Sequence, residues 1–300
     1  MNHQLRNISL SLCITILTIG CTKHNRDMQT NTNAEENTTP SVVYKVSGME
    51  NVIIKKDIEY YVEQGISLTV DMYYPPGFEF ESNLPAVLDV FGYSNEAAKK
   101  LVGCRLKDWS WPQSWGRLIA ASGMAALIYE TNSPEKDLNI LLQFLQDRAD
   151  EFCIDRNRIG IYSCSANVPT ALVSCMDETK KYFRCAAFYY GFFLMTDTEY
   201  IPEIESLSEK MGFSTPELNA ELKLRDDLPL LIVRADLDNV PHLNSTIEHF
   251  VSKAVSQNLQ INFINYQKGQ HGFDAYDDND QSREIIKKTI DFWKFHLFKQ

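Results

Sequence analysis

This sequence predicts an α/β fold: a mostly parallel twisted sheet with helices on both faces. Three observations carry that expectation. Near-continuous apolar runs such as Leu84–Phe91 (L-P-A-V-L-D-V-F) and Cys185–Tyr190 have the composition of strands buried on both faces. These runs alternate with longer segments of helical period, the pattern of βαβ units. Finally, Arg158–Ser174 (R-I-G-I-Y-S-C-S-A-N-V-P-T-A-L-V-S) starts as a strand, with Ile159 and Ile161 two apart. It passes through a cluster of small residues into a helix start whose first turn tolerates Pro169.

Taken in order, the chain opens with Arg6 and an apolar run from Ile8 to Ile19, too short to span a bilayer comfortably. The run ends L-T-I-G-C, which resembles a bacterial lipobox with Thr18 where leucine is more usual. That resemblance implies residues 1–21 as a lipoprotein signal, Cys21 as the lipidated mature terminus, and an exported protein anchored to a bacterial membrane, periplasmic or at the cell surface. A polar stretch without periodicity, 22–42, reads as a disordered tether, leaving 43–300 as the folded domain. Val52–Tyr61 and Ser67–Tyr74 read as an antiparallel edge hairpin turning at Glu63-Gln64-Gly65. Helix Ser114–Ser122 leads to strand Met124–Tyr129. Ser133 is placed to cap a helix opened by Pro134, and Ile154–Asn157 returns the chain to the Arg158 strand. After the sixth strand, Gly191–Asp227 breaks the alternation, and 193–227 reads as a lid-like insertion. Leu243–Gln257 and Gln281–Phe298 close the chain as helices. The acidic run Asp274–Asp280 lacks the glycine and glutamate spacing of a calcium loop and reads instead as the acidic N-terminus of the last helix.

With 300 residues and 44% hydrophobic content, the chain can bury a large core. A formal net charge of −11 without a Lys/Arg cluster argues against nucleic acid or an anionic membrane surface as partner. No G-x-G-x-x-G, Walker A, H-E-x-x-H or paired C-x-x-C occurs, so no nucleotide cofactor or metal is expected. Beyond Cys13 and Cys21, five cysteines remain; Cys164, Cys175 and Cys185 fall in apolar contexts as small buried hydrophobes, and no disulfide is assigned.

A nucleophile at a tight strand-to-helix turn needs small residues two before and two after it. Ser165 is flanked at those positions by Ser163 and Asn167, whereas Cys164 would place Tyr162 there and Ser163 would place Ile161. Ser165 is therefore the candidate, although neither flank is glycine; an ordinary buried strand entering a helix is the plainer alternative. Downstream, P-L-L-I-V-R-A-D-L-D-N-V-P (Pro229–Pro241) runs from a strand into an acidic loop. I-N-F-I-N-Y-Q-K-G-Q-H-G-F-D (Ile261–Asp274) runs from a strand into a loop carrying His271. His242 reads as a helix cap.

Ser, then Asp, then His, each after a strand, resembles the α/β-hydrolase fold, in its dienelactone-hydrolase and prolyl-oligopeptidase-like (acetyl esterase-like) group, from Asp57 to the C-terminus. The resemblance implies a Ser165–Asp238–His271 triad, with Asp236 as the alternative acid and Asp197 a remote third. It implies an oxyanion hole from Ala166 and the loop Gly92-Tyr93-Ser94, where Tyr93 stands in place of a glycine. The activity implied is hydrolysis of a small or carbohydrate-linked ester through an acyl-enzyme. An acyl-CoA thioesterase-like or prolyl-oligopeptidase-like hydrolase, or a non-catalytic binding protein of the same fold, is the alternative.

Overall fold

The computed structural model describes residues 40–194, 201–216 and 224–299. Cys21, Asp197 and all but the last three residues of the expected tether lie outside the described residues. Those last three are packed rather than loose. Val42 is buried, its N–H donates to Ser114 Oγ at 2.8 Å, and Ser110 Oγ donates to the Pro40 carbonyl at 2.7 Å. The fold therefore begins by Pro40, three residues ahead of the expected boundary.

Strands β1 (Ile53–Glu63) and β2 (Ile66–Tyr74) form the edge hairpin, pairing Glu63 with Ile66 across a two-residue turn. Gln64 and Gly65 both have positive φ, 51° and 80°, the geometry whose twist matches the flanking strands. The sheet continues with β3 (Leu84–Asp89), helices α1 (Asn95–Val102) and α2 (Ser110–Ala121), and β4 (Ala125–Tyr129). After α3 (Pro134–Arg148) come β5 (Ile154–Cys164), α4 (Val168–Met176), β6 (Phe183–Tyr189) and α5 (Ile201–Met211), the last within the expected insertion. Strand β7 (Leu230–Ala235), α6 (Leu243–Ser256), β8 (Ile261–Tyr266), the single turn α7 (Phe273–Tyr276) and α8 (Asp280–Phe298) complete the chain.

The strand order is β1-β2-β4-β3-β5-β6-β7-β8, with only β2 antiparallel to its neighbours β1 and β4. Because β4 pairs with one side of β3 and β5 with the other, the chain leaves β3 and β5 in opposite directions. A crevice opens there at the carboxyl ends of the parallel strands, where ligands of open α/β sheets bind.

Three local expectations are corrected. Helix α2 starts at Ser110, not Ser114, because Pro112 sits in its first turn and Trp111 and Trp115 are pulled inward by a buried carboxylate. Ser133 makes no side-chain cap on α3; Asp137 Oδ2 accepts instead from the N–H groups of Asn132 and Ser133 (2.7 and 2.8 Å) and from Thr131 Oγ1 (2.9 Å). The third concerns Asp274, read as part of the acidic N-terminus of the last helix. It is fully buried, and the cap of α8 is Asn279, whose Oδ1 accepts from Ser282 N at 3.0 Å.

Candidate active site

The corner between β5 and α4 is built by its flanking small residues. Ser163 is buried and its hydroxyl donates to the Val90 carbonyl at 3.0 Å, tying β5 to the end of β3. Ser165 has φ 57°, the left-handed region a non-glycine residue enters at about 1–3 kcal/mol. The surrounding chain holds it there. Phe192 N donates to the Ser165 carbonyl at 3.3 Å, and Gly191 passes so close that a Cβ on it would lie 2.2 Å from Val168 Cγ2. Asn167, where a glycine would be usual, accepts the Gly92 N–H on Oδ1 at 2.8 Å. The glycine this corner requires is Gly92, whose missing Cβ would meet the Ala166 carbonyl at 2.8 Å and Asn167 Cα at 3.0 Å.

Ser165, His271 and Asp238 come together. Ser165 Oγ lies 2.9 Å from His271 Nε2, and His271 Nδ1 lies 2.6 Å from Asp238 Oδ2. The Asp238 carboxylate is wholly buried, and its other oxygen accepts the Val240 N–H at 2.9 Å. Its loop is stitched to the histidine loop by Asp236 N to the Tyr266 carbonyl and Leu237 N to the Gly269 carbonyl, both 2.9 Å. Asp236 does not join the constellation, because its carboxylate accepts from Arg234 Nη1 on the exposed side of the loop. His242 stands at the start of α6 with φ 63° and no side-chain cap, which corrects the expectation. Cys164, beside the serine, is kept a thiol: burial, then the charges of Asp274 and Asp89, push its pKa well up, so it is a poor thiolate source.

Two acids that sequence reasoning left unassigned lie behind this site. Asp274 Oδ2 accepts from Trp115 Nε1 (2.8 Å), Trp111 Nε1 (2.9 Å) and the Tyr162 hydroxyl (3.2 Å), while Oδ1 accepts from the Tyr190 hydroxyl. Burial raises its pKa and the Tyr190, Trp115 and Trp111 donors lower it; Tyr162 and Tyr190 are themselves pushed well up, chiefly by burial, and remain donors. The Tyr190 ring in turn packs on His271, centroids 4.8 Å apart. The second acid is Asp89 at the end of β3, where burial and then the Asp274 charge push the carboxyl well above its ordinary range. Its signal was visible as the one charged residue in the run L-P-A-V-L-D-V-F.

Ser165 and His271 open onto a cavity of about 310 Å³. Its walls are mainly aromatic: Trp109, Trp111 and Trp115 around α2, with Tyr93, Phe192 and Tyr276. Leu207 and Met211 of α5 reach it from the insertion. Tyr93 and Ala166, the expected oxyanion donors, both line it; the Tyr93 ring packs edge-on against Phe213 with centroids 5.9 Å apart. Among the described residues, no group of three His, Cys, Asp or Glu side chains is placed to hold a metal ion.

No family model matches the sequence, and no curated protein matches it. Solved structures do match in shape. An esterase of the planctomycete Thermogutta terrifontis superposes with a TM-score of 0.59 at 17% identity, covering 82% of this chain and 93% of its own. An α/β-hydrolase enzyme from a Medee basin deep-sea metagenome gives 0.57 at 17%, covering 82% and 98%. A thermophilic carboxylesterase cloned from a metagenomic library gives 0.60 at 20%, covering 83% and 90%. With its strand order, its single antiparallel reversal at β2 and these likenesses, the chain has the α/β-hydrolase fold.

Proposed function

We propose that the protein is a serine hydrolase that cleaves a small carboxylic ester through an acyl-enzyme. The observation that carries this is the unbroken relay from Ser165 Oγ through His271 to the buried Asp238 carboxylate, at 2.9 and 2.6 Å. A serine hydroxyl is a weak nucleophile at its own pKa, and His271 Nε2 is positioned to take its proton as Oγ attacks the ester carbonyl. Asp238 fixes the tautomer with the proton on Nδ1 and offsets the charge of the imidazolium. The proton then passes to the leaving alcohol, and water repeats the sequence on the acyl-enzyme.

Two backbone donors are assigned to the developing oxyanion. One is the Ala166 N–H, next after the nucleophile. The Gly92 N–H is engaged by Asn167, so the second is assigned to Tyr93, its ring serving as pocket wall. The Thermogutta terrifontis esterase has been seen with butyrate and propionate bound, and phosphonylated by sarin, which supports a short acyl group and a reactive serine here as well.

The test is a fluorophosphonate probe together with hydrolysis of p-nitrophenyl butyrate. The wild-type chain should label and turn over, and Ser165→Ala should do neither, with activity down on the order of 10⁴-fold or more. Cys164→Ala should keep most of its activity. Loss in the cysteine variant with retention in the serine variant would instead make this a thiol hydrolase. Absence of labelling in the wild type would leave a non-catalytic binding protein.

A further inference from the structure

We propose that the cavity beside Ser165 selects esters carrying a protonated amine on an apolar body, and that Asp89 is the residue that recognises the amine. This rests on the cavity being the substrate pocket of the function proposed above. Asp89 is 6% exposed and lines the cavity. It makes no hydrogen bond or ion pair with any described residue, so among the described residues nothing satisfies its carboxyl oxygens. A buried carboxyl left in that condition has an unfavourable environment unless a ligand completes it.

The charges around it fix the sign of that ligand. Asp274, close enough to act on Asp89, is surrounded by four donors that are all neutral, two indole N–H groups and two phenols. Lys210 reaches the cavity from α5 but pairs with neither acid. Asp89 thus lines the cavity with Asp274 buried behind it, and no cation among the described residues pairs with either, so a ligand cation would be attracted by both. The walls suit the same ligand, since the faces of Trp109, Trp111 and Trp115 attract a cation and also accept an apolar body. A polyol would need several polar partners, and the cavity wall is almost entirely apolar.

In the empty cavity, burial and then the Asp274 charge favour the protonated form of Asp89. An incoming R–NH₃⁺ keeps its three hydrogens, Asp89 gives its proton to solvent, and the resulting carboxylate accepts an N–H. One proton leaves per ligand bound. The other titratable groups that feel Asp89 are Asp274, the Cys164 thiol and the Tyr129 phenol; burial holds the thiol and the phenol protonated, so neither supplies that proton. His271 also borders the cavity and is held by Asp238, and the Asp89 variant below separates its contribution.

The experiment is titration calorimetry of the full chain with benzylammonium chloride and with benzyl alcohol, near neutral pH, in two buffers of different ionisation enthalpy. Benzylammonium should bind tighter by about tenfold or more, with release of roughly one proton, and benzyl alcohol should release none. Asp89→Asn, nearly isosteric with the neutral acid, should lose the preference and the proton while still binding benzyl alcohol. Equal affinities, absence of binding by both ligands, or a preference that survives in Asp89→Asn would overturn the proposal. The comparison of the two ligands on the wild type stands even if the variant fails to fold. Binding is read without turnover, so Ser165→Ala should show the same preference. A chain that prefers the amine yet never labels with fluorophosphonate would keep this inference and sink the hydrolase.

Discussion

Asp236 and Asp238 sit two residues apart on one loop, and their surroundings separate them. Asp238 is wholly buried between His271 Nδ1 and the Val240 N–H, whereas Asp236 lies on the exposed side against Arg234. Asp238→Asn should lower kcat for p-nitrophenyl butyrate by roughly 10³ to 10⁴, and Asp236→Asn by less than tenfold. The reverse order, read from initial rates on the two purified variants, would reassign the acid. Ser165, Asp238 and His271 were legible in the sequence because a strand end followed by small, acidic or glycine-flanked residues leaves few places for such side chains. Asp274 was not legible. It follows His271 by three residues among other acids, and only the fold brings two tryptophans and two tyrosines from distant elements onto its oxygens.

Between elements, the decisive contact is the one that lays the loop after β3 against the start of α4. Gly92 has no space for a Cβ, and the obstacles are backbone atoms of Ala166 and Asn167 that cannot rotate away. Gly92→Ala must therefore push the loop off the corner and break the Gly92–Asn167 hydrogen bond. The expected result is a fall in kcat of about 10² or more, as when an oxyanion donor is lost, with fluorophosphonate labelling slowed but still at Ser165. Unchanged kcat would mean that this loop carries no part of the oxyanion hole. Sequence pattern located the elements well, because β3, β4 and β6 are buried on both faces and their apolar runs admit no other period. It failed at their ends. The start of α2 follows tryptophans drawn to Asp274, far along the chain, and at α3, which does open at Pro134, it is Asp137 inside the helix and not Ser133 that takes the side-chain role.

Across the whole molecule, Asp89 stands as a fixed liability that the fold tolerates. Its folded pKa is raised by burial and by Asp274, so as pH rises the unfolded chain gives up this proton first. Its contribution to stability is thus fully present below the unfolded carboxylate range and is lost as pH climbs toward the folded value. Asp89→Asn has no proton to lose. Its Tm should exceed that of the wild type near neutral pH, and the gap should close as the pH falls toward about 4. Thermal melts across that range check it; a gap that stays constant with pH would contradict the sign. The strap at the start of the described chain has a mechanical consequence. Pro40 and Val42 are fastened to α2, and Val43 N donates at 2.8 Å to the Asp274 carbonyl, the residue whose side chain holds Tyr190 against His271. Any displacement of the Pro40–Val43 segment is borne first by α2 and by this one peptide group, so the placing of the first described residues and the alignment of the histidine meet at Asp274.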